Sequence, residues 1–310
     1  MIAGGLRALG RHARIMLPLG VCLGLVFPQL AEALKHVVTP TVIGMITASL
    51  LRLDWREQMT QLRQPGLPLR IAFWQLLISP ILVWILALLG LIPEDLIVLS
   101  VLQAASAPIG SSAAFALFLG LPGHLCMAGT VIMTLLLPIT LTATVALLLP
   151  SFGISVDLAS FALRVTLTAL APFVITALIR QLASDERLRA LDGELAGTNV
   201  LLLVLFAIGI MHGVTDTFFE RPGFIAGLLA WGWLAAIVWH AIGFLLWMRS
   251  GRNQSLSAAL MLGNRNLGLT LVVTAGTAGE AFQMYAGLAQ IPLFCAPLLL
   301  SPLVRRMKPT

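Results

Sequence analysis

Charged residues are scarce in this chain. Only 10% of its 310 residues are Asp, Glu, Lys or Arg, whereas 59% are hydrophobic, and the mean hydropathy is +0.98. A chain with a soluble catalytic domain would carry far more charge on its surface. The composition therefore indicates a polytopic membrane protein with the lipid bilayer as its first partner.

Cysteine is also rare, and the motifs of several enzyme classes are missing. Cys22, Cys126 and Cys295 lie in apolar runs without CxxC or Cys/His spacing, so neither a disulfide framework nor a metal site is indicated. No span carries paired aspartates, a G-x-S-x-G elbow or H-E-x-x-H. We expect no enzymatic activity and no cofactor.

The formal net charge of +6 does not indicate a nucleic-acid partner, because the chain has no long basic tract. The basic residues instead separate ten apolar runs, at roughly 15–34, 37–53, 67–92, 95–119, 124–149, 155–180, 196–215, 223–248, 254–277 and 281–304. Each run is a candidate membrane span. The first run has no convincing cleavage site and is interpreted as a retained span.

The loops between these runs alternate in charge. Fifteen Lys and Arg residues lie in one set of loops and two in the other, with Arg164 and Arg265 inside spans. Positively charged loops stay in the cytoplasm, so both termini are predicted to be cytoplasmic. We expect a multi-pass protein of the bacterial inner (plasma) membrane.

Spans 4 and 9 are interrupted in the sequence. Span 4 contains Ser106–Ser112 (SAPIGSS), where Pro108 removes a backbone donor and should break the helix. Span 9 contains the polar stretch Gly263–Gly268 (GNRNLG), with Arg265 inside a long apolar run. A charged residue near mid-membrane usually faces a cavity and marks function. The alternative is a cytoplasmic loop in which Arg265 extends to the interface.

The two interruptions have similar spacing to a later proline. Gly110 precedes Pro138 by 28 positions, and Gly268 precedes Pro297 by 29. This spacing is consistent with two five-helix halves, 1–150 and 151–310, which an odd number of spans would place in opposite orientations. Chance spacing of glycine and proline explains the numbers about as well.

Three motifs resemble the bile acid:sodium symporter family. Gln75–Pro80 (QLLISP) is similar to Q-F-L-x-x-P, Pro108–Ser111 to the start of C-P-G-G-T-x-S-N, and Gly263–Leu269 (GNRNLGL) to E-x-G-x-Q-N-S-G-L. The resemblance implies an all-α membrane protein of ten helices in two inverted repeats. It further implies a panel domain (spans 1, 2, 6 and 7), a core domain, and discontinuous helices 4 and 9 that cross.

The chain departs from the family where the family binds sodium. The positions of the sodium ligands and their neighbours fall here on Ala113, Ala114, Met127, Val131, Met261 and Arg265. Sodium needs hard oxygen ligands, which methyl and thioether groups do not supply. We therefore do not expect a metal site or sodium coupling.

Arg265 offers a different source of positive charge. It is interpreted either as a built-in cation in place of sodium or as a direct partner of an anionic substrate. The side-chain oxygen of Gln75 is a candidate acceptor for its guanidinium. The break residues Ser111, Ser112 and Asn266 begin half-helices and either cap them or contact the substrate.

The predicted substrate-binding residues are thus Gly110, Ser111, Ser112, Asn264, Arg265, Asn266 and Cys295, and the predicted crossover residues are Gln75, Pro108, Gly263 and Gly268. His240 is expected to be a packing residue and Arg164 to extend toward the interface.

The predicted function is secondary transport of a small organic, anionic solute by alternating access and without sodium. Two alternatives stay open: a uniporter or proton-coupled carrier like the auxin carriers, and a receptor-like protein that has lost transport.

Overall fold

The computed structural model describes residues 2–11, 13–53, 55 and 66–306. Within these residues, the first half contains nine α-helices: α1 (Ile2–Arg11), α2 (Ala13–Val26), α3 (Pro28–Leu34), α4 (Val38–Leu51), α5 (Gly66–Phe73), α6 (Ser79–Leu88), α7 (Glu94–Ala104), α8 (Ser112–Phe118) and α9 (His124–Leu148). Turns of 3-10 helix cover Lys35–Val37 and Leu149–Phe152, and a π-helical turn covers Trp74–Ile78.

The second half contains α10 (Leu158–Leu182), α11 (Asp185–Ala190), α12 (Asp192–Gly209), α13 (Val214–Glu220), α14 (Pro222–Trp247), α15 (Arg252–Gly263), α16 (Leu267–Val273), α17 (Gly279–Leu288) and α18 (Gln290–Arg306). A 3-10 turn, Met248–Ser250, follows α14. Arg56, Arg63 and Lys308, which enter the loop charge count, lie outside the described residues.

Among the described residues, seven helical stretches are long and apolar enough to cross a membrane. They are Pro28–Leu51, Gly66–Leu88, His124–Phe152, Leu158–Leu182, Asp192–Glu220, Pro222–Ser250 and Gly279–Pro302. The chain is therefore an all-α, multi-pass membrane protein. The count of ten spans, with spans 4 and 9 interrupted, stays a prediction.

The difference has a physical cause in each of the three remaining runs. In the first, the helix breaks at Phe27 because Pro28 starts a new helix, and helical backbone then continues through residues 35–37. The runs at 95–119 and 254–277 each consist of two half-helices, α7 with α8 and α15 with α16. None of these four half-helices is long enough to span a bilayer alone.

The burial pattern is that of a protein in lipid. Large apolar side chains are strongly exposed on the outside, among them Leu182, Phe219, Leu147 and Ile139. Polar side chains fill part of the interior instead, and Arg265 is the largest of the fully buried side chains. Exposed apolar surface of this extent needs a hydrocarbon environment.

Close packing brings the two halves of the chain together. Helix α12 of the second half packs against α1, α2 and α4 of the first half. Gly197 permits this approach, because a Cβ there would lie 1.8 Å from the Leu6 carbonyl oxygen. The division at residues 150 and 151 stays a prediction.

Candidate functional site

The two interrupted segments meet each other in the protein interior. The backbone N–H of Ile109 donates to the Asn264 carbonyl at 2.8 Å, and the N–H of Asn266 donates to the Ala107 carbonyl at 2.8 Å. Pro108 and Arg265 thus form an isolated antiparallel bridge. Helix ends leave backbone groups without partners, and here each break supplies partners for the other.

Arg265 lies at the centre of this crossing and is only 1% exposed. Its Nε donates to the Leu262 carbonyl at 2.6 Å, and its Nη1 donates to the carbonyls of Ala104 at 2.9 Å and Ser106 at 3.2 Å. Leu262 and Ala104 lie at the carboxyl ends of α15 and α7, where carbonyls lack helical partners and the helix dipole is negative. The guanidinium therefore joins two half-helix ends and offsets their partial charge.

The remaining contacts of Arg265 come from the π-helical turn, α6 and α14. Nη2 donates to Ser79 Oγ at 3.3 Å, Nη1 reaches the Gln75 carbonyl at 3.4 Å, and the guanidinium lies 4.9 Å from the centre of the Trp239 ring. Stacking on an aromatic face stabilises a desolvated cation. No carboxylate among the described residues pairs with Arg265, so its charge faces carbonyls, a hydroxyl and a ring.

The contact with Gln75 corrects a sequence-based prediction. The acceptor is the main-chain carbonyl of Gln75, not its side-chain oxygen. In the π-helical turn the N–H of Ser79 donates to the Trp74 carbonyl, and Pro80 has no N–H to offer to Gln75. The Gln75 carbonyl is thereby left for Arg265, while the side-chain amide donates to the Ser106 carbonyl at 3.1 Å.

A narrow cleft lies on one side of the crossing. Its walls are α4 and α12 on one side and the two breaks on the other. The lining residues include Val42, Ser49, Asn199, Phe206, Ile109, Gly110, Ser111, Asn266, Gly268 and Gln290. The cavity has a volume of about 40 Å³. Small-molecule sites usually enclose about 300–1,000 Å³, so the cleft is closed down around the crossing.

Two polar atoms of the described cleft lining have no protein partner. Ser111 Oγ and Gln290 Oε1 are buried without a hydrogen bond. Asn199 Nδ2 donates to Ser49 Oγ at 3.4 Å across the α4–α12 wall. Unpartnered buried polar atoms at a cavity are groups that a ligand or water can satisfy.

The predicted site residues divide into two groups. Gly110, Ser111, Asn266 and Gly268 line the cleft, whereas Asn264, Ser112 and Gly263 are buried within the crossing. Asn266 caps α16 by accepting from the Leu269 N–H at 3.0 Å, while Ser111 and Ser112 make no cap hydrogen bond. Cys295 does not line the cleft and is half-buried.

The residues that the sequence resemblance places at sodium-ligand positions do not form one polar pocket. Met261 is fully buried, and a Cβ at Gly129 would lie 2.4 Å from its Sδ, so the thioether fills the space beside α9. Ala113 and Val131 are also buried and apolar, Met127 is half-buried, and Ala114 is exposed.

Two residues weighed in the sequence have clear contacts. The Nδ1–H of His240 donates to the Ala236 carbonyl at 2.7 Å and the ring packs against Gly263, while Nε2 is buried without a partner. Arg164 Nη1 donates to the Ala275 carbonyl, near the end of span 9.

Sequence reasoning missed Ser49, Asn199, Gln290 and Trp239. The first three are polar residues inside apolar runs, a signal that could have singled them out. Trp239 carries no such signal, because tryptophan is common in membrane helices.

No protein-family model and no curated protein matches this chain.

Proposed function

We propose that this protein is a secondary transporter of a small organic anion, built like the bile acid:sodium symporters but independent of sodium. The observation that carries the proposal is Arg265, a fixed positive charge that joins both interrupted helices. Interrupted helices that meet in the interior are typical of transporter binding sites.

The proposal includes two inverted five-helix repeats. In support, the breaks in spans 4 and 9 pair antiparallel, and each supplies one hydrogen bond to the other. The cleft lies between α4 and α12, which would belong to the panel domain, and the crossing, which would belong to the core domain.

An anion suits this cleft better than a cation does. Its lining includes hydroxyl and amide side chains but no Asp or Glu among the described residues. Arg265 is buried within the crossing and does not line the cleft itself. No described carboxylate pairs with its guanidinium, so its charge makes the local electrostatic potential positive. This geometry favours Arg265 as a built-in cation over Arg265 as a direct substrate contact.

A second cavity offers a route to the cleft. It has a volume of about 590 Å³ and its lining includes Lys35, Thr39, His212, Leu271 and Glu280, one turn farther along α4 and α16 than the cleft. The loop charges predict that this side is extracytoplasmic. In the proposed cycle, the solute enters here and α4 and α12 move apart from the crossing to admit it.

Phe206 is the contact that such a movement must release. Its ring packs against the crossing at Gly268: a Cβ added to Gly268 would lie 2.6 Å from Cζ of Phe206. Phe206 is 3% exposed and also lines the cleft. Separation of α12 from α16 would open the cleft at this point.

The test is counterflow in proteoliposomes. A thermal-shift screen of organic carboxylates and sulfonates, bile acids included, first identifies a ligand that stabilises the folded protein. We expect saturable, competable exchange of that ligand at equal rates in sodium and potassium buffers. Binding without exchange would support the receptor-like alternative, and a requirement for sodium would overturn the proposal.

Variants of Arg265 test the role of the fixed charge. Arg265→Ala should abolish exchange, and Arg265→Lys should retain part of it because the charge stays but the fork of donors is lost. Arg249→Ala, at an exposed arginine, is the matched control. Normal exchange by Arg265→Ala would contradict the built-in cation.

A further inference from the structure

A chamber the size of one small ion or water molecule lies beside Arg265, on the α14 side of the crossing. Its volume is about 10 Å³, close to the roughly 10–15 Å³ that one water molecule requires. The lining consists of Gln103, Gly232, Ala236, Gly263, Arg265, Leu267, Ala289, Pro292 and Leu293, all within the continuously described segment 66–306. Of these residues, only Leu267 also lines the cleft, so the chamber is a separate space.

The guanidinium of Arg265 brings a full positive charge to this chamber. Its described partners are main-chain carbonyls, the Ser79 hydroxyl and the Trp239 ring, and none of these groups is charged. No described Asp or Glu lines the chamber either. Burying an ion without a counterion is costly, and the dipoles of carbonyls offset only part of that cost. A small anion beside Arg265 would complete the neutralisation.

Gln103 supplies a second donor to the chamber. The Tyr285 hydroxyl donates to Gln103 Oε1 at 2.5 Å, which fixes the orientation of the amide. Gln103 Nε2 donates to no described residue, although the side chain is buried. Because Gln103 lines the chamber, a species bound there can accept from Nε2. An acceptor placed between an amide N–H and a guanidinium is favoured when it carries negative charge.

We propose that this chamber binds a monatomic anion such as chloride, held between the guanidinium of Arg265 and Nε2 of Gln103. The volume of about 10 Å³ leaves no room for an organic anion, phosphate or sulfate. The site concerns only the charge of Arg265 and holds whether or not the protein transports.

Chloride in the chamber would also moderate the transport proposed above. The chamber and the cleft lie on opposite sides of the crossing, so both anions would be attracted by one guanidinium. Each anion would therefore weaken the binding of the other, and the effect is reciprocal. This consequence rests on the proposed function, whereas the chloride site does not.

Replacement of gluconate by chloride in the purified protein tests the site. Potassium chloride is exchanged for potassium gluconate at constant ionic strength, and the apparent Tm is followed in detergent. We expect a saturable rise of about 3 °C, because an anion that binds the folded state stabilises it. Potassium bromide should act like chloride, and potassium sulfate like gluconate.

Gln103→Glu supplies the missing negative charge from the protein itself. The carboxylate can still accept from the Tyr285 hydroxyl, and it should repel chloride from the chamber. We expect the chloride-dependent rise in Tm to disappear in this variant. Gln283→Glu makes the same change in the lining of the second cavity, outside the chamber, and should keep the full rise.

Crystals of the unaltered protein grown in bromide locate the anion by anomalous scattering, without recourse to a variant. A bromide peak between Arg265 and Gln103 is expected. Equal Tm values in chloride and gluconate would overturn the proposal and leave the chamber to water. An undiminished chloride effect in Gln103→Glu would also overturn it, as would bromide peaks at other positions alone.

Discussion

Gly263 permits the first half of span 9 to lie against α14. A Cβ at this position would lie 2.0 Å from His240 Nδ1 and 2.1 Å from Cε1. The ring has little freedom to move, because Nδ1 is bonded to the Ala236 carbonyl. Overpacking of this kind destabilises a protein by about 1–3 kcal/mol.

We therefore expect Gly263→Ala to lower the thermal unfolding temperature in detergent by several degrees. Gly227→Ala is the matched control: this residue lies in α14, and a Cβ there would meet nothing within 4 Å. The control should be neutral or stabilising by up to about 1 kcal/mol, as expected for glycine replaced inside a helix. Equal melting temperatures for the two variants would refute the close-packing argument.

At the scale of residues, sequence alone indicated that Arg265 is unusual but not which groups hold it. The polar stretch was visible because charge is rare in apolar runs. Most of its acceptors were not visible, because Leu262, Ala104, Ser106 and Gln75 accept with main-chain carbonyls and only Ser79 accepts with its side chain. A carbonyl acceptor is the same in every residue type, so only the backbone path reveals it.

The crossing also contains a side-chain contact between its two interrupted helices. Ser106 Oγ lies 2.7 Å from Thr270 Oγ1, linking the break of span 4 to α16. We expect Thr270→Val to lower the free energy of unfolding by about 1 kcal/mol, the usual net value of one hydrogen bond. Ser106 Oγ keeps its bond to the Leu102 carbonyl at 2.7 Å, so no larger loss is expected.

Thr166→Val provides the comparison in α10. Thr166 donates to the Ala162 carbonyl of its own helix and links no second element. Thr166→Val should lower the free energy of unfolding by less than half as much as Thr270→Val does. Both values are measured by denaturation under identical detergent conditions. A larger effect at Thr166 would show that the Ser106–Thr270 contact does not stabilise the crossing.

At the scale of elements, local signals predicted the breaks better than the long helices. Pro108 and Gly110 in span 4, and Asn264 with Asn266 in span 9, indicated interruptions that the structure contains. The first two runs were divided wrongly, because Pro28 starts a helix that continues past Lys35. A lone lysine does not stop a helix, whereas a proline at its first turn readily begins one.

The orientation in the membrane is a prediction for the whole molecule. In a variant with Cys22, Cys126 and Cys295 replaced by Ala, Glu280→Cys and Glu186→Cys introduce single exposed thiols on opposite predicted sides. A membrane-impermeant maleimide should label Glu280→Cys in intact cells and Glu186→Cys only after permeabilisation, because basic loops remain in the cytoplasm. The reverse pattern would invert the topology, and labelling of both would refute it.

The pairing of Pro108 with Arg265 has a consequence for biosynthesis. Ile109 and Asn264, which share a hydrogen bond, are 155 positions apart. At about 5–20 residues per second, a ribosome needs on the order of ten seconds to make the intervening chain. During that interval the broken segment of span 4 resides in the membrane with its exposed backbone unsatisfied, so the insertion machinery or water must shelter it until the second break arrives.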